Sequence, residues 1–463
     1  MQPLLALAWL TWKAAFRFRL FWVLTVLLLG SVVVLPLILK DDRTARGFTQ
    51  LVLTYNLSVI TTLLGLATVW LACGTLARDI EECQMQMVAV KPIARWQIWL
   101  GKWLGLVLLN AALLAVAGAS VYALLQWRSN QLPPEQQAIL RNEIFVARGS
   151  LKEPIPDLEQ LAERVFKERI EKTPVPVSEH AALRRNLLEQ LKAGAQVVTP
   201  GHPRRWIIDL GLRKNFLRDQ PLFLRVKFHA VQTNASGLYL GLWQVGVPNK
   251  TQLWQDRKSM AAGTFHEFAV PPNLFDEEGK LTVVFVNGSV LTGTPTTLLF
   301  PLEDGFEVLY REGGFSLNFA RGLAIILCWL ALLAALGLSA ASLLSFPVAA
   351  FFSVSLLIVA LSGGTLSSVV AEGTVAGLDH ETGAGAGGWI DAVLIPFFKV
   401  LLQVIHLVQG FSPVDALSTG RSITWGQLGL AFAQIVLFLG GLLAAAGILF
   451  FTRRELATAQ GTQ

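Results

Sequence analysis

Apolar residues in this chain gather in long blocks, each bordered by charge, proline or tryptophan. The blocks cover residues 19–39, 51–77, 99–126, 319–345, 347–371 and 425–451. A helix that crosses a bilayer needs about 20 mostly apolar residues, and each block supplies them. The pattern therefore predicts six spanning helices. Pro36 and Gly65 lie inside spans, which lipid tolerates because neighbouring helices satisfy the freed backbone groups. The junction at Phe346-Pro347 is the boundary that no charge marks.

A further block, WIDAVLIPFFKVLLQVIHLVQG at 389–410, is also long enough to cross. Its Lys399, Gln403, His406 and Gly410 share one helical face, and Leu401, Leu402, Ile405 and Val408 lie on the other. A helix with one wet face fits the membrane interface. The alternative is a span whose polar face lines a bundle interior. At the N-terminus, MQPLLALAWLTWKAAFRFRL reads as an amphipathic elbow helix on the membrane surface, with Trp9 and Trp12 at the headgroups. It has no small-residue cleavage site, so it is not a signal peptide.

The apolar pattern breaks over 128–316. The first part, 128–200, predicts helices. One is PDLEQLAERVFKERIEK, with Leu158, Leu161, Val165 and Phe166 on one stripe. The other is SEHAALRRNLLEQLKAG, with Leu183, Leu187, Leu188 and Leu191 as the stripe, Ser178 as N-cap and Gly194 as C-cap. The second part, 201–316, predicts short strands at 205–210, 222–229, 237–245, 264–270, 281–287, 296–300 and 306–311. The fold class that follows is a membrane all-α six-helix bundle with an α+β insert, a helical stalk plus a jelly-roll-like β-sandwich. The chain divides into 1–127, 128–316 and 317–463.

Composition agrees with a membrane class. The chain is 53% hydrophobic and 15% charged, against about 25% charged for a soluble domain. Orientation follows from lysine and arginine in short loops. Lys13, Arg17, Arg19, Arg78, Lys91, Arg95, Lys102, Arg453 and Arg454 all fall on one side of six spans, so that side is cytoplasmic and both termini are inside. Counting 389–410 as a span would move the last pair outside. By the same parity the insert is extracytoplasmic. The insert carries 23 basic and 21 acidic residues, so the net charge of +6 does not point to nucleic acid. Cys73, Cys83 and Cys328 lie outside the insert, which therefore has no disulfide.

Chemical motifs are sparse. The histidines show no metal spacing, and Asp379-His380-Glu381 reads as a loop. GAGAGG at 383–388 lacks the Gly-Lys-Ser/Thr ending of a phosphate loop. No nucleophile elbow is present. The reading is a non-enzymatic chain with no cofactor or metal of its own. Tyr239, Trp243 and Trp254 form a possible ligand platform for sugar stacking, with core or strand-pair residues as the alternative.

One strip stands out: RDIEECQMQMVAVKPIARWQIWLGKWLG, 78–105, between the second and third spans. Asp79, Glu81 and Glu82 suit the first turn of a helix. Ile80, Cys83, Met87 and Val88 give it an apolar stripe, Lys91 lies at its end and Pro92 stops it. Its acidic, glutamine-rich face would offer a docking surface, with a merely solvated loop as the alternative. Trp96, Trp99 and Trp103 read as interface anchors of the span that follows.

The stretch R-D-I-E-E…K-P-I-A-R-W-Q-I-W-L-G-K-W-L-G resembles the corresponding stretch of bacterial type-2 ABC transporter permeases. The ending Phe451-Thr452-Arg453-Arg454-Glu455-Leu456 is similar to that family's terminus. FSPVDALSTGRSI at 411–423 resembles the branch of copper-site maturation and gliding permeases. Cys83-Gln84-Met85 departs from the commoner Gly-Thr-Leu, and minimal members lack the insert. The resemblance implies a cell-membrane permease whose coupling helix, 79–90, meets a cytoplasmic ABC ATPase. Asp79, Ile80, Glu81, Glu82, Cys83, Met87, Lys91, Pro92 and Arg95 would form that contact. ATP and Mg would sit on the partner subunit, and a second permease copy and membrane lipids would complete the assembly. The expected function is an exporter subunit. The alternatives are a mechanotransmitting scaffold that moves its outer domain without transport, and a membrane-anchored sugar-binding protein with no ATPase. No span carries a charge at mid-depth, which argues against ion coupling and favours a lipid-like substrate or none.

Overall fold

A computed structural model describes residues 2–17, 19–38, 45–82, 93–154, 157–172, 180–234, 236–292, 295–372, 375 and 389–454. The chain forms two compact units. One comprises Met1–Ala147 and Gly313–Gln463, the other Arg148–Glu312. Residues 128–147 thus belong with the helical unit, and the insert proper is shorter than the apolar pattern implied.

The helical unit begins with α1 (Gln2–Arg17), α2 (Arg19–Ile38), α3 (Ala45–Glu81), α4 (Arg95–Asn130) and α5 (Pro134–Ile139). A π-helical turn, Leu140–Ile144, leads to the β unit. That unit opens with β1 (Val146–Leu151), α6 (Leu158–Lys172), α7 (His180–Gln196), β2 (Val197–Val198) and β3 (Pro203–Asp209). After a 3-10 turn come α8 (Lys214–Leu217), β4 (Leu222–Val226), β5 (His229–Ala230), β6 (Leu238–Val245) and β7 (Trp254–Ala261). Then follow β8 (His266–Val270), β9 (Lys280–Asn287), β10 (Leu298–Leu299) and β11 (Phe306–Gly314). The helical unit resumes with α9 (Phe315–Leu343), α10 (Phe346–Leu361), α11 (Gly363–Glu372), α12 (Trp389–Gln409) and α13 (Pro413–Ser418). It ends with α14 (Trp425–Ala431), a π-helical segment Phe432–Gly440, and α15 (Gly441–Arg453).

Among the described residues, Thr49–Glu81, Arg95–Asn130, Phe315–Leu343, Ile390–Ser418 and Trp425–Arg453 are long and apolar enough to cross a membrane. This makes the protein a multi-pass membrane protein. The apolar part of α2, Trp22–Leu35, is shorter. The span expected over 347–371 is not one straight helix: α10 and α11 meet at 68°. The break falls at Ser362-Gly363-Gly364, where glycine weakens the helix and the Ser362 hydroxyl donates back to Ile358 O at 3.0 Å. Past the bend, the Val375 N–H donates to Asp391 Oδ1 at 2.9 Å. Leu366 shares an apolar cluster with Leu402 and Ile405, so α11 and α12 form a hairpin.

Small residues set the helix packing. In α4, Gly101 and Gly105 are spaced as a Gly-x-x-x-Gly seat, and α1 lies in it. A Cβ on Gly105 would fall 2.6 Å from Thr11 Cβ and 2.8 Å from Ala8 O. Gly337 of α9 admits α3, with Ala72 Cβ 2.7 Å from where its own Cβ would be. Gly447 of α15 faces Ser339 Oγ at 2.7 Å and Trp99 Nε1 at 2.9 Å in the same sense.

In the β unit two four-stranded sheets are ordered β1-β11-β4-β8 and β3-β9-β6-β7, and a small third sheet is β2-β10-β5. Trp206, Tyr239, Trp243, Val283 and Phe285 from one large sheet share a single core with Leu222, Leu224, Val226, Phe306 and Val308 from the other. The antiparallel ladders fix which side chains face inward, as in β6–β9, where Trp243 is opposite Phe285. On the other side of the first sheet lies a row of charges. Glu307 is opposite Arg225, and Arg225 is opposite Glu267. Arg148 pairs with Glu267, and the Ser150 hydroxyl donates to Glu307 at 2.7 Å. Arg148, Arg225 and Glu307 are buried, the Glu267 side chain is 4% exposed, and such groups need partners of this kind.

Two local expectations are corrected, and one strand was not foreseen. Residues 128–200 are not helical throughout, because β1 occupies 146–151. Its Gly149 permits this, since a Cβ there would overlap the Tyr310 ring. Gly194 does not cap α7, which runs on to Gln196, and Ser178 lies outside the described residues. The edge strand β7, WQDRKSMA, has no apolar alternation to announce it.

Replacing Gly105 by leucine should unseat α1. The expected loss is about 1–3 kcal/mol, the usual cost of overpacking, read as a lower melting temperature of the purified protein in detergent. A melt equal to that of the unaltered protein would show that α1 is not held there.

Candidate functional site

The candidate site is the end of the helical unit where α3 stops and α4 starts. Asp79, Ile80 and Glu81 were expected to open a new helix. Instead they form the last turn of α3. The apolar stripe of α3 explains the extension. Val69, Ala72, Cys73, Leu76 and Ala77 are buried, and Ile80 packs against the same cluster. Acids are unfavourable at a helix C-terminus, and here two of them are compensated. Lys102 Nζ donates to Asp79 Oδ2 at 2.5 Å and to Thr75 O at 2.8 Å. Glu81 Oε1 accepts the Phe346 N–H at 2.9 Å. That bond caps α10, whose Ser345 makes no side-chain cap. The Arg78 guanidinium lies 4.5 Å from the Phe346 ring centroid. The outward acidic face expected at 79–82 is therefore reduced. Asp79 and Glu81 hold neighbouring helices, and Glu82 is an exposed turn residue. Cys83, Met87, Lys91 and Pro92 lie outside the described residues.

Beyond the strip, Arg95 is the first residue of α4. Its Nη1 donates to Phe451 O at 3.0 Å, Thr452 O at 2.7 Å and Arg454 O at 2.9 Å. These are the open carbonyls at the end of α15. Arg454 Nη1 in turn reaches Ala341 O and Ser342 O at 3.3 Å each, at the end of α9. Helix termini leave such groups without intrahelical partners. Four side chains, Glu81, Arg95, Lys102 and Arg454, therefore clasp the ends of α3, α10, α15 and α9. Sequence reading marked Lys102 and Arg454 as charges that orient the chain and as parts of the stretches that carry the resemblance, not as caps of helix ends. Their places in L-G-K and T-R-R, each near one end of an apolar run, were the available signal.

The tryptophans divide. Trp96 is 47% exposed, as an interface anchor requires. Trp99 is fully buried, and Trp103 donates its N–H to Ala331 O at 2.9 Å. Those two are core residues, not anchors.

The possible ligand platform is also corrected. Tyr239 and Trp243 are 3% and 1% exposed. Trp243 stacks on Trp206 at 6.2 Å and meets Phe285 at 4.8 Å. Trp254 is half-buried and stacks on Phe268 at 6.2 Å. The alternation of β6 turns residues 239, 243 and 245 inward, so these rings build the core and present no stacking surface. Asp379-His380-Glu381 and the glycine-rich link after it lie outside the described residues.

Comparison with known protein families, with curated proteins and with solved structures finds no match to this chain.

Replacing Lys102 by methionine should lower stability by about 2 kcal/mol, the scale of a lost charge-assisted bond. Adding Asp79→Asn should recover part of that loss, because the stranded carboxylate is removed. Thermal melts of the two variants check this. Equal melts would mean that the pair does not act as a pair.

Proposed function

We propose that the chain is the permease subunit of an ABC-type exporter, paired with a second copy and driven by a cytoplasmic ATPase that carries ATP and Mg. The observation that supports this reading is the clasp made by side chains that flank residues 83–92 in the sequence, together with Arg454. The strip is entered from Glu82 and left through Ile93, Ala94 and Arg95. Glu81 on one flank caps α10, and Arg95 on the other caps α15. A partner that displaces the strip thereby acts on four helix ends, and no side chain here has to perform chemistry. The work is a shift between two arrangements of packed helices.

The hairpin of α11 and α12 fits a helix pair at the membrane interface. Lys399, Gln403 and His406 are exposed on α12, and so are Val393, Phe397, Val400 and Val404. Such a helix meets water, lipid and protein on three sides. In this reading the spans are α2, α3, α4, α9, the α10–α11 segment and the last helix, with both termini in the cytoplasm of a bacterial cell. The insert is then an outer domain. Numbering its eight longer strands in chain order, the two sheets read 1-8-3-6 and 2-7-4-5, the interleaving of a jelly roll.

A second reading, a mechanotransmitting scaffold, is favoured by one feature. Helix α9 begins at Phe315, directly after β11 ends at Gly314. No linker separates the β unit from a central helix of the bundle.

Affinity purification of the full chain from native membranes should recover a protein with a phosphate-binding Gly-x-x-x-x-Gly-Lys-Ser/Thr loop. Charge reversal is best made at Glu82 alone, because Glu81 caps α10. Glu82→Lys should leave the chain folded, as read by a cooperative melt, and reduce ATPase recovery severalfold. Purification that yields no such ATPase from the native host would overturn the permease reading. ATP hydrolysis without net export from sealed vesicles would favour the scaffold.

A further inference from the structure

The outward face of the sheet β3-β9-β6-β7 is built unlike its core face. Alternation along β6 sends Leu240, Leu242 and Gln244 outward, and along β9 it sends Val284 and Val286 outward. The register sets these in rows. Leu242 lies opposite Val286 on one side and Arg257 on the other. Gln244 lies opposite Val284 and Gln255. Arg205 of β3 lies opposite Val284. The centre of the face is thus apolar and half-buried, while Arg205, Gln255 and Arg257 at its margins are exposed.

A depression of about 600 Å³ opens on this face, walled by Leu242, Trp243, Val286, Gln244, Gln255 and Arg257, and also by Asp256, a carboxylate. That is the size range of small-molecule sites, about 300–1,000 Å³. Among the described residues no ion pair takes up Arg205 or Arg257. The carboxylate nearest in sequence, Asp256, is bound to Lys258 at 2.9 Å and accepts the Arg257 N–H at 2.8 Å. On the β3 edge Glu153 accepts the Ile207 N–H at 3.1 Å, so the β7 edge is the more cationic of the two. An apolar strip with an unpaired guanidinium and two amides at one margin complements an amphiphile with an anionic head.

We propose that this face binds a long-chain carboxylate. Its alkyl chain lies over Leu240, Leu242, Val284 and Val286. Its head group is held by the Arg257 guanidinium, which matches a carboxylate in a two-pronged contact, with Gln244 and Gln255 as further donors. The proposal names a ligand class for the exporter reading, but binding itself requires neither ATP nor an ATPase.

The test uses the full chain in detergent, with no nucleotide and no partner. The probe is a long-chain carboxylate that carries a terminal diazirine, and the control is the alcohol of the same length. After irradiation, labelled peptides are mapped by mass spectrometry. The carboxylate should label peptides that contain Leu240–Gln244 or Val284–Val286, and unlabelled carboxylate should compete. Arg257→Glu should reduce that labelling about tenfold, the scale of one lost charge-assisted contact, and Arg257→Lys should reduce it less. Circular dichroism and the melt confirm that each variant is folded. Should Arg257→Glu fail to fold, Gln255→Glu places one negative charge beside the guanidinium at the same margin, a change of one unit instead of two, and should reduce the labelling in the same direction. Labelling confined to the helical unit, equal labelling by the alcohol, or undiminished labelling in a folded charge-reversed variant would each overturn the proposal. Because no ATPase is present, failure of the exporter reading would leave these results unchanged.

Discussion

Every helix that ends inside a folded chain leaves carbonyl or amide groups that need partners. In the helical unit that demand organises one end of the structure. Arg95 satisfies the carbonyls at the end of α15, and Arg454 those at the end of α9. Lys102 serves Thr75 near the end of α3, and Glu81 serves the first amide of α10. Each capping side chain belongs to a different element from the one it caps. Satisfying local hydrogen bonds therefore ties distant parts of the chain together. The close approaches at Gly105, Gly337 and Gly447 extend the same economy of space along the helix flanks.

The two units meet the problem of buried polar groups differently. The helical unit keeps charge near the ends of α3, α4, α9 and α15 and lets these long helices meet through small residues. The β unit carries an internal row of Arg148, Glu307, Arg225 and Glu267 on one sheet and an aromatic core between sheets. Charges of opposite sign alternate across that row, so each is beside a partner. A sheet can do this because opposite residues on adjacent strands lie about 5 Å apart. A helix flank in lipid has no such ladder.

Much of this was legible in the sequence. Apolar blocks of span length located the long helices, and turn residues located most of the strands. Other features depended on contacts remote in sequence. The break at Ser362 was hidden because Gly363 and Gly364 sit within an otherwise apolar run. The end of α3 was misplaced because Asp79 and Glu81 suit a helix start, and only Lys102 and the Phe346 amide reverse that preference. Tyr239 and Trp243 suggested a binding surface, but which face of β6 they occupy depends on the partner strands. β1 and β7 carry too little apolar alternation to be seen without the strands beside them.

The β unit enters the chain through β1 and leaves it through β11, and these two strands are neighbours in one sheet. Adjacent strands lie about 4.8 Å apart, so a unit of this size is attached by a footprint two strands wide. An insertion with such a footprint is modular. It can be enlarged, exchanged or deleted, and the flanking chain can be closed by a short turn. The β unit is therefore free to diverge on a separate schedule from the helices that carry it.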